Sequence, residues 1–243
     1  MKRLQQLAYL EALGIPVWVP SAFDHNEAPS SSVDDGANEV AAGYATPVPE
    51  IRLVQPPGDI SSMGWQELLH TVSSCTACGL HTGRTQAVFG TGNQGASLMV
   101  IGEAPGAVED LQGEPFVGRA VQLLDQMLQA INHPRDSVYI ANIVKCRPPD
   151  NRNPQQDEAL HCSQYLNRQI SLVSPSVILA LGKVAAQNLL QTDLPVGKMR
   201  GSRYQYAALN IPVIVTYHPA YLLRSPKEKA KAWQDLKQVR SLL

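Results

Sequence analysis

Four short apolar runs constrain this chain more than anything else in it. Residues 98–101 read Leu-Met-Val-Ile and stop at Gly102; residues 138–144, 177–181 and 213–216 are three further runs of the same kind. Helical patterns lie between and after them. Apolar residues at 120, 124, 127, 128 and 131 recur at the spacing of a helix packed on a sheet. A second helix follows Gly182 as far as Leu190, and residues 227–242 have the pattern of a charged amphipathic helix. Continuous apolar runs suit strands buried on both faces. Their alternation with helices predicts an α/β fold whose parallel sheet is covered on both sides. Folds of that class present ligands at the carboxyl ends of the strands, where the notable polar residues of this chain fall.

The chain has 243 residues, enough for one α/β domain and an appendage. Residues 1–20 carry Leu4, Leu7, Leu10 and Leu13 before Gly14-Ile15-Pro16, the pattern of a short helix. Residues 21–60 are rich in Pro, Ser, Gly, Ala and acidic side chains. Such a segment buries too little apolar surface to offset its ordering entropy, so it is expected to be a disordered linker. The folded domain is therefore assigned to 61–243. Residues 1–60 hold eight acidic and three basic side chains against a whole-chain net charge of −1, which leaves the remainder at about +4. A mildly basic body is compatible with DNA contact without demonstrating it. No stretch approaches the ~18 consecutive apolar residues of a membrane span, and a cytoplasmic protein is expected.

In a reducing compartment four cysteines are better read as metal ligands than as disulfides. Cys75 and Cys78 form a Cys-x2-Cys pair, and Cys146 and Cys162 complete the set with none left over. Zinc and a [4Fe–4S] cluster both accept four thiolates, and spacing alone slightly favours zinc. Buried cysteines without a metal are the simpler alternative. With a metal, the site would pin residues 75–80 to the segment 146–162.

Three segments carry candidate chemistry. After the first run comes Gly102-Glu103-Ala104-Pro105-Gly106, a turn with exposed N–H groups and a carboxylate at the strand end. Glu103 there could orient a water or stabilise a developing cation, or it could be a solvated turn residue. Glu109 and Asp110 suit a helix start. Phe116, between proline and glycine turns, is either a core anchor or a stacking platform for a flat base. In the second segment Asn142 sits among apolar strand residues. Its amide matches the N3–H and O4 edge of uracil and mismatches cytosine; bonding to loop backbone is the plainer alternative. Lys145, Arg147 and Arg152 after it are either phosphate contacts or a solvated loop. The third segment is Tyr217-His218-Pro219-Ala220-Tyr221-Leu222-Leu223-Arg224. His218 could donate to an oxygen that becomes anionic, or be structural. Leu222, Leu223 and Arg224 could form a wedge that enters a duplex, or pack into the core.

In this order, Cys-x2-Cys, GEAPG, PFVG, an Asn strand followed by KCRPPDNR, a fourth cysteine, and YHPAYLLR, the chain resembles the family 4 uracil-DNA glycosylases over about residues 65–240. The resemblance implies a three-layer α/β/α sandwich with a four-stranded, mainly parallel sheet. It implies a [4Fe–4S] cluster on Cys75, Cys78, Cys146 and Cys162 in place of zinc. It also implies a monofunctional, monomeric enzyme that excises uracil from DNA. Phe116 would stack on a flipped uracil and Asn142 would read its edge. Glu103 would position water, and His218 would support uracil O2. Gly102 and Gly106 would offer backbone N–H groups, and Glu109 would line the pocket and help exclude the thymine methyl. Arg147, Leu222, Leu223 and Arg224 would touch DNA; residues 1–60 lie outside the resemblance and could bind a repair or replication protein or only keep the chain soluble. The neighbouring family X carries a basic loop with a histidine after the Asn strand. Here Arg147-Pro148-Pro149-Asp150-Asn151 stands in that place, so covalent trapping on DNA is not expected. Val121 stands where the family usually has glycine. A silent cluster-bearing DNA-binding scaffold, an electron-transfer protein, and a glycosylase for another deaminated base such as hypoxanthine are the competing readings.

Overall fold

The computed structural model describes residues 59–118 and 120–243. The expected helix over 1–20 and nearly all of the 21–60 segment lie outside them. At the start of the described chain Asp59 accepts the Ser61 N–H at 3.0 Å, and Ile60 is buried. In chain order the elements are α1 (Trp65–Ser73), β1 (Thr91–Gly92), β2 (Leu98–Gly102), α2 (Ala107–Gln112), α3 (Ala120–Ala130), β3 (Tyr139–Asn142) and α4 (Gln156–Val173). There follow β4 (Val177–Leu181), α5 (Gly182–Leu190), α6 (Val196–Met199), β5 (Arg203–Tyr206), β6 (Ile211–Thr216), α7 (Pro219–Arg224) and α8 (Lys229–Arg240).

The sheet order is β1-β3-β2-β4-β6-β5. Its four inner strands are the four apolar runs, and they are parallel. The expectation of four strands is corrected to six, because an antiparallel strand borders each side. Neither border strand has the apolar signature. β1 is two residues long, and β5 reads Arg-Tyr-Gln-Tyr with only Tyr206 buried. Edge strands face solvent along one side and need no continuous apolar run.

Alternate residues of each inner strand feed opposite cores, as the two-residue period of a strand requires. Met99, Ile101, Ile178 and Val213 join one core with α1, α4, α5 and α6. Leu98, Val100, Leu179 and Ile214 join the other with α3, α7 and α8. Helix α4, which the sequence reading leaves out, starts at a capping box. The Gln155 N–H donates to Glu158 Oε2 at 2.7 Å, and Arg152 makes two bonds to the same carboxylate at 2.9 and 2.7 Å. Among the described residues no helix is long and apolar enough to cross a membrane.

Candidate active site

Parallel inner strands all end on one edge of the sheet, and a cleft of about 610 Å³ opens there. Glu103, Gly106, Glu109, Phe116, Asn142 and His218 line it together. Gly102, buried at the end of β2, lies beneath Asn142 and Phe116. A Cβ on Gly102 would stand 2.5 Å from Asn142 Oδ1 and 2.6 Å from the Phe116 ring, so the two groups close over the bare backbone. The residues singled out at three separate strand ends thus meet in one pocket.

Asn142 is 2% exposed, and its Oδ1 is buried without a hydrogen-bond partner. An orphaned buried acceptor costs about 1–3 kcal/mol, a cost that a ligand N–H arriving in the pocket would cancel. Register pairing of Asn142 with Gly102, together with the Ile143 N–H bond to Gly102 O at 3.0 Å, holds the residue at the strand end.

Phe116 has a left-handed backbone, φ 54°, which a non-glycine residue adopts only when its surroundings hold it there. They do so from both sides. The Arg135 guanidinium donates to Pro115 O at 2.7 Å. Glu109 Oε1 accepts the N–H groups of Val117 and Gly118 at 3.2 and 3.3 Å. Glu109 therefore lines the cleft and also carries the loop beneath Phe116, a task that its sequence neighbourhood does not announce. Val121 lines the same cleft, and its N–H bonds to Gly118 O at 3.0 Å.

His218 caps α7: its Nδ1 accepts the Ala220 N–H at 3.2 Å. A backbone N–H only donates, so Nδ1 is the unprotonated nitrogen and the ring proton sits on Nε2. Burial, with Arg224 adding to it and Glu109 opposing, lowers the His218 pKa from 6.5 to about 4. The ring is thus neutral near pH 7 and offers one N–H. It lies 5.6 Å from the Phe116 ring, centroid to centroid, at an angle of 25°. Gly182, at φ +87°, leaves the space behind it: a Cβ there would meet His218 Cβ at 3.1 Å. Glu103 is partly buried, and desolvation raises its carboxyl above the usual range. A neutral donor, a carboxylate, an unpaired amide oxygen and an aromatic wall around one cleft can bind a flat polar ring and stabilise charge separating from it.

Two of the expected DNA contacts are corrected. Leu222 is 1% exposed and belongs to the core under α7, because the helix turns that residue inward while Leu223 and Arg224 face out. Lys145, expected in a basic surface cluster, is 1% exposed and bonds to Asn142 O and Gln169 Oε1. Arg147 is half-buried and bonds Asn151 Oδ1 at 2.8 Å, whereas Arg152 is committed to Glu158.

All four cysteines line one small cavity. Donors are aimed at three of the sulfurs. Tyr165 Oη and the Ala77 N–H reach Cys75 at 3.2 and 3.4 Å, Arg84 reaches Cys146 at 3.0 Å, and the Lys145 N–H reaches Cys162 at 3.3 Å. Burial pushes the thiols of Cys78 and Cys146 up and that of Cys162 to about 12. Left alone they would stay protonated, so the donors make sense once a cationic group holds them as thiolates. A single zinc needs four sulfurs about 2.3 Å from one point. Among the described residues no three such ligands converge in that way. The four thiols and the donors aimed at them suit a group that binds thiolates.

Comparison with known proteins gives the same family as the site. Residues 89–237 match the model of the uracil DNA glycosylase superfamily. A type-4 uracil-DNA glycosylase of Archaeoglobus fulgidus is 40% identical over 182 residues, covering 72% of this chain and 92% of that protein. One from Thermotoga maritima is 39% identical over 185 residues, covering 73% and 96%. A type-5 uracil-DNA glycosylase of Pyrobaculum aerophilum is 31% identical over 147 residues, 54% of this chain and 64% of its own length. The chain belongs to the uracil-DNA glycosylase superfamily and, within it, to the type-4 family.

Proposed function

We propose that this protein hydrolyses the N-glycosidic bond of uracil in DNA and so starts base-excision repair. The observation that carries the reading is the orphaned Asn142 Oδ1, buried beside Phe116 over Gly102. Uracil N3–H is the donor that this oxygen lacks, and cytosine N3 would face it with a lone pair. The target nucleotide leaves the helix to reach the cleft, at a cost of a few kcal/mol that pocket contacts partly return. Phe116 walls the flat face of the base. As the bond to C1′ stretches, His218 donates from Nε2 to the O2 that gains negative charge. A backbone N–H at Gly106 assists, whereas that of Gly102 faces β3 within the sheet. Glu103 favours the cationic sugar and directs water to C1′. Glu109 holds the Phe116 loop and borders the space where a thymine methyl would lie. Arg147, Leu223 and Arg224 face the DNA. No lysine reaches the cleft as a nucleophile among its lining residues, so the abasic strand is left intact.

Cys75, Cys78, Cys146 and Cys162 would hold a [4Fe–4S] cluster. Its contribution is structural: it would tie the 75–80 turn to the segment that follows Asn142. A reducing cytoplasmic setting suits four such thiols. The test is base release from a labelled oligonucleotide that carries one uracil, with wild type beside His218→Ala. Release by wild type, and a fall of about 10²–10³ in turnover at similar DNA affinity in the variant, is the expected result. No release from folded, cluster-bearing wild type would leave a silent DNA-binding scaffold instead.

A further inference from the structure

Lys145 is one of the largest fully buried side chains of the protein, and the proposed chemistry makes no use of it. The path of β3 explains why a lysine is there. Successive residues of a strand turn their backbone polar groups to opposite edges. The Ile143 N–H points to β2, where it bonds Gly102 O. The Asn142 carbonyl therefore points to the other edge. On that side β1 pairs only with Tyr139 and Ile140, so no strand reaches Asn142. The Lys145 ammonium fills the gap and donates to Asn142 O at 2.9 Å. It also donates to Gln169 Oε1 at 2.6 Å. Gln169 is 0% exposed and is fixed in turn by its Nε2 bonds to Phe89 O at 2.8 Å and Tyr139 Oη at 3.3 Å. Meanwhile the main-chain N–H of Lys145 donates to Cys162 Sγ at 3.3 Å. One residue thus serves the cysteine cavity through its backbone and the strand end through its side chain.

We infer that Lys145 is a positioning residue for base recognition: with Gln169 it clamps the peptide of Asn142 and so aims the amide at the base edge. The inference rests on the reading of Asn142 as the group that recognises uracil. A clamp of this kind acts on substrate fit and base choice, whereas a merely structural buried lysine would act only on stability and on the fraction of active molecules.

The experiment compares wild type with Lys145→Met, which keeps the length and loses the charge, on oligonucleotides carrying uracil or cytosine. Rates are expressed per cluster-bearing chain, from the visible absorbance and iron content of each preparation. For the variant, KM should rise about tenfold and uracil-over-cytosine selectivity should fall by a similar factor, while kcat moves by less than about threefold. Unchanged KM and selectivity in an active, cluster-bearing Lys145→Met overturn the inference and leave the functional reading standing. Absence of uracil release by wild type overturns the functional reading and the inference with it. Should Lys145→Met not fold, Gln169→Met decides the matter. It removes the acceptor that steadies the ammonium. A raised KM and lowered selectivity in folded, cluster-bearing Gln169→Met support the clamp, and wild-type values of both refute it.

Discussion

Adding one methyl group at Gly102 tests whether the geometry of the pocket sets its chemistry. Ordinary contact begins at 3.4 Å, whereas an alanine Cβ would lie 2.5 Å from Asn142 Oδ1 and 2.6 Å from Phe116 Cζ. The amide oxygen must then recede by about 0.9 Å and the ring edge by about 0.8 Å. Neither neighbour has an easy retreat. Asn142 is packed at a strand end, and Phe116 sits on a loop held by Arg135 and Glu109. A displacement near 1 Å in a reacting geometry costs about 10²-fold in rate, and overpacking costs about 1–3 kcal/mol of stability. Gly102→Ala should therefore lower kcat/KM about 100-fold and Tm by several degrees. The assay is single-turnover uracil release beside thermal unfolding. Gly64→Ala serves as control, since nothing lies within 4 Å of a Cβ at that position. Release within about threefold of wild type would refute the argument that Asn142 and Phe116 must stand where they do.

Other outcomes follow from the same geometry. The fold keeps His218 neutral, with its pKa lowered from 6.5 to about 4. The unfolded chain binds the extra proton between those values, so this contribution to stability is complete above pH 6.5 and fades as pH falls through 4. The stability difference between wild type and His218→Ala, read by urea unfolding, should shrink by up to about 3 kcal/mol over that window; parallel curves would count against a neutral buried ring. Leu222→Ala should destabilise by about 2–5 kcal/mol. Leu223→Ala should leave unfolding within about 0.5 kcal/mol of wild type while weakening DNA binding, as titrations would show; the reverse pattern would mean that α7 is turned the other way. Metal and sulfide analysis should find about four iron and four sulfide per chain, and bleaching the cluster should raise amide exchange over 75–80 and 146–162. A single zinc per chain would reject the cluster.

The inner sheet was legible because strands buried on both faces leave nearly unbroken apolar runs, and part of the pocket was legible because Glu103, Asn142 and His218 stand at the ends of those runs. What escaped had no local signature. A two-residue β1 has no period to detect, and β5 alternates polar and aromatic residues at a solvent edge. Lys145 lies in a run of basic residues and prolines that resembles a surface loop; only the early end of β1 shows that a buried cation is needed there. Leu222 and Leu223 are adjacent and identical, and their opposite fates depend on the orientation of α7 against α3 and α8, which is a tertiary fact. The second duty of Glu109, holding the Val117 and Gly118 N–H groups, depends on a loop conformation with Phe116 at positive φ, which sequence pattern does not encode.

Glu103, Asn142 and His218 come from the ends of β2, β3 and β6, whereas the four cysteines all precede residue 163. These two facts give the protein a schedule. Contacts between distant segments must wait for the intervening chain to be made and closed, and they form late. Every cysteine is in place in the sequence before β4, β5 and β6, but the strand end that carries His218 is not. A chain cut anywhere between β4 and α7 would keep every cysteine and lose the base pocket. The thiol set and the base pocket are therefore completed at different points along the chain.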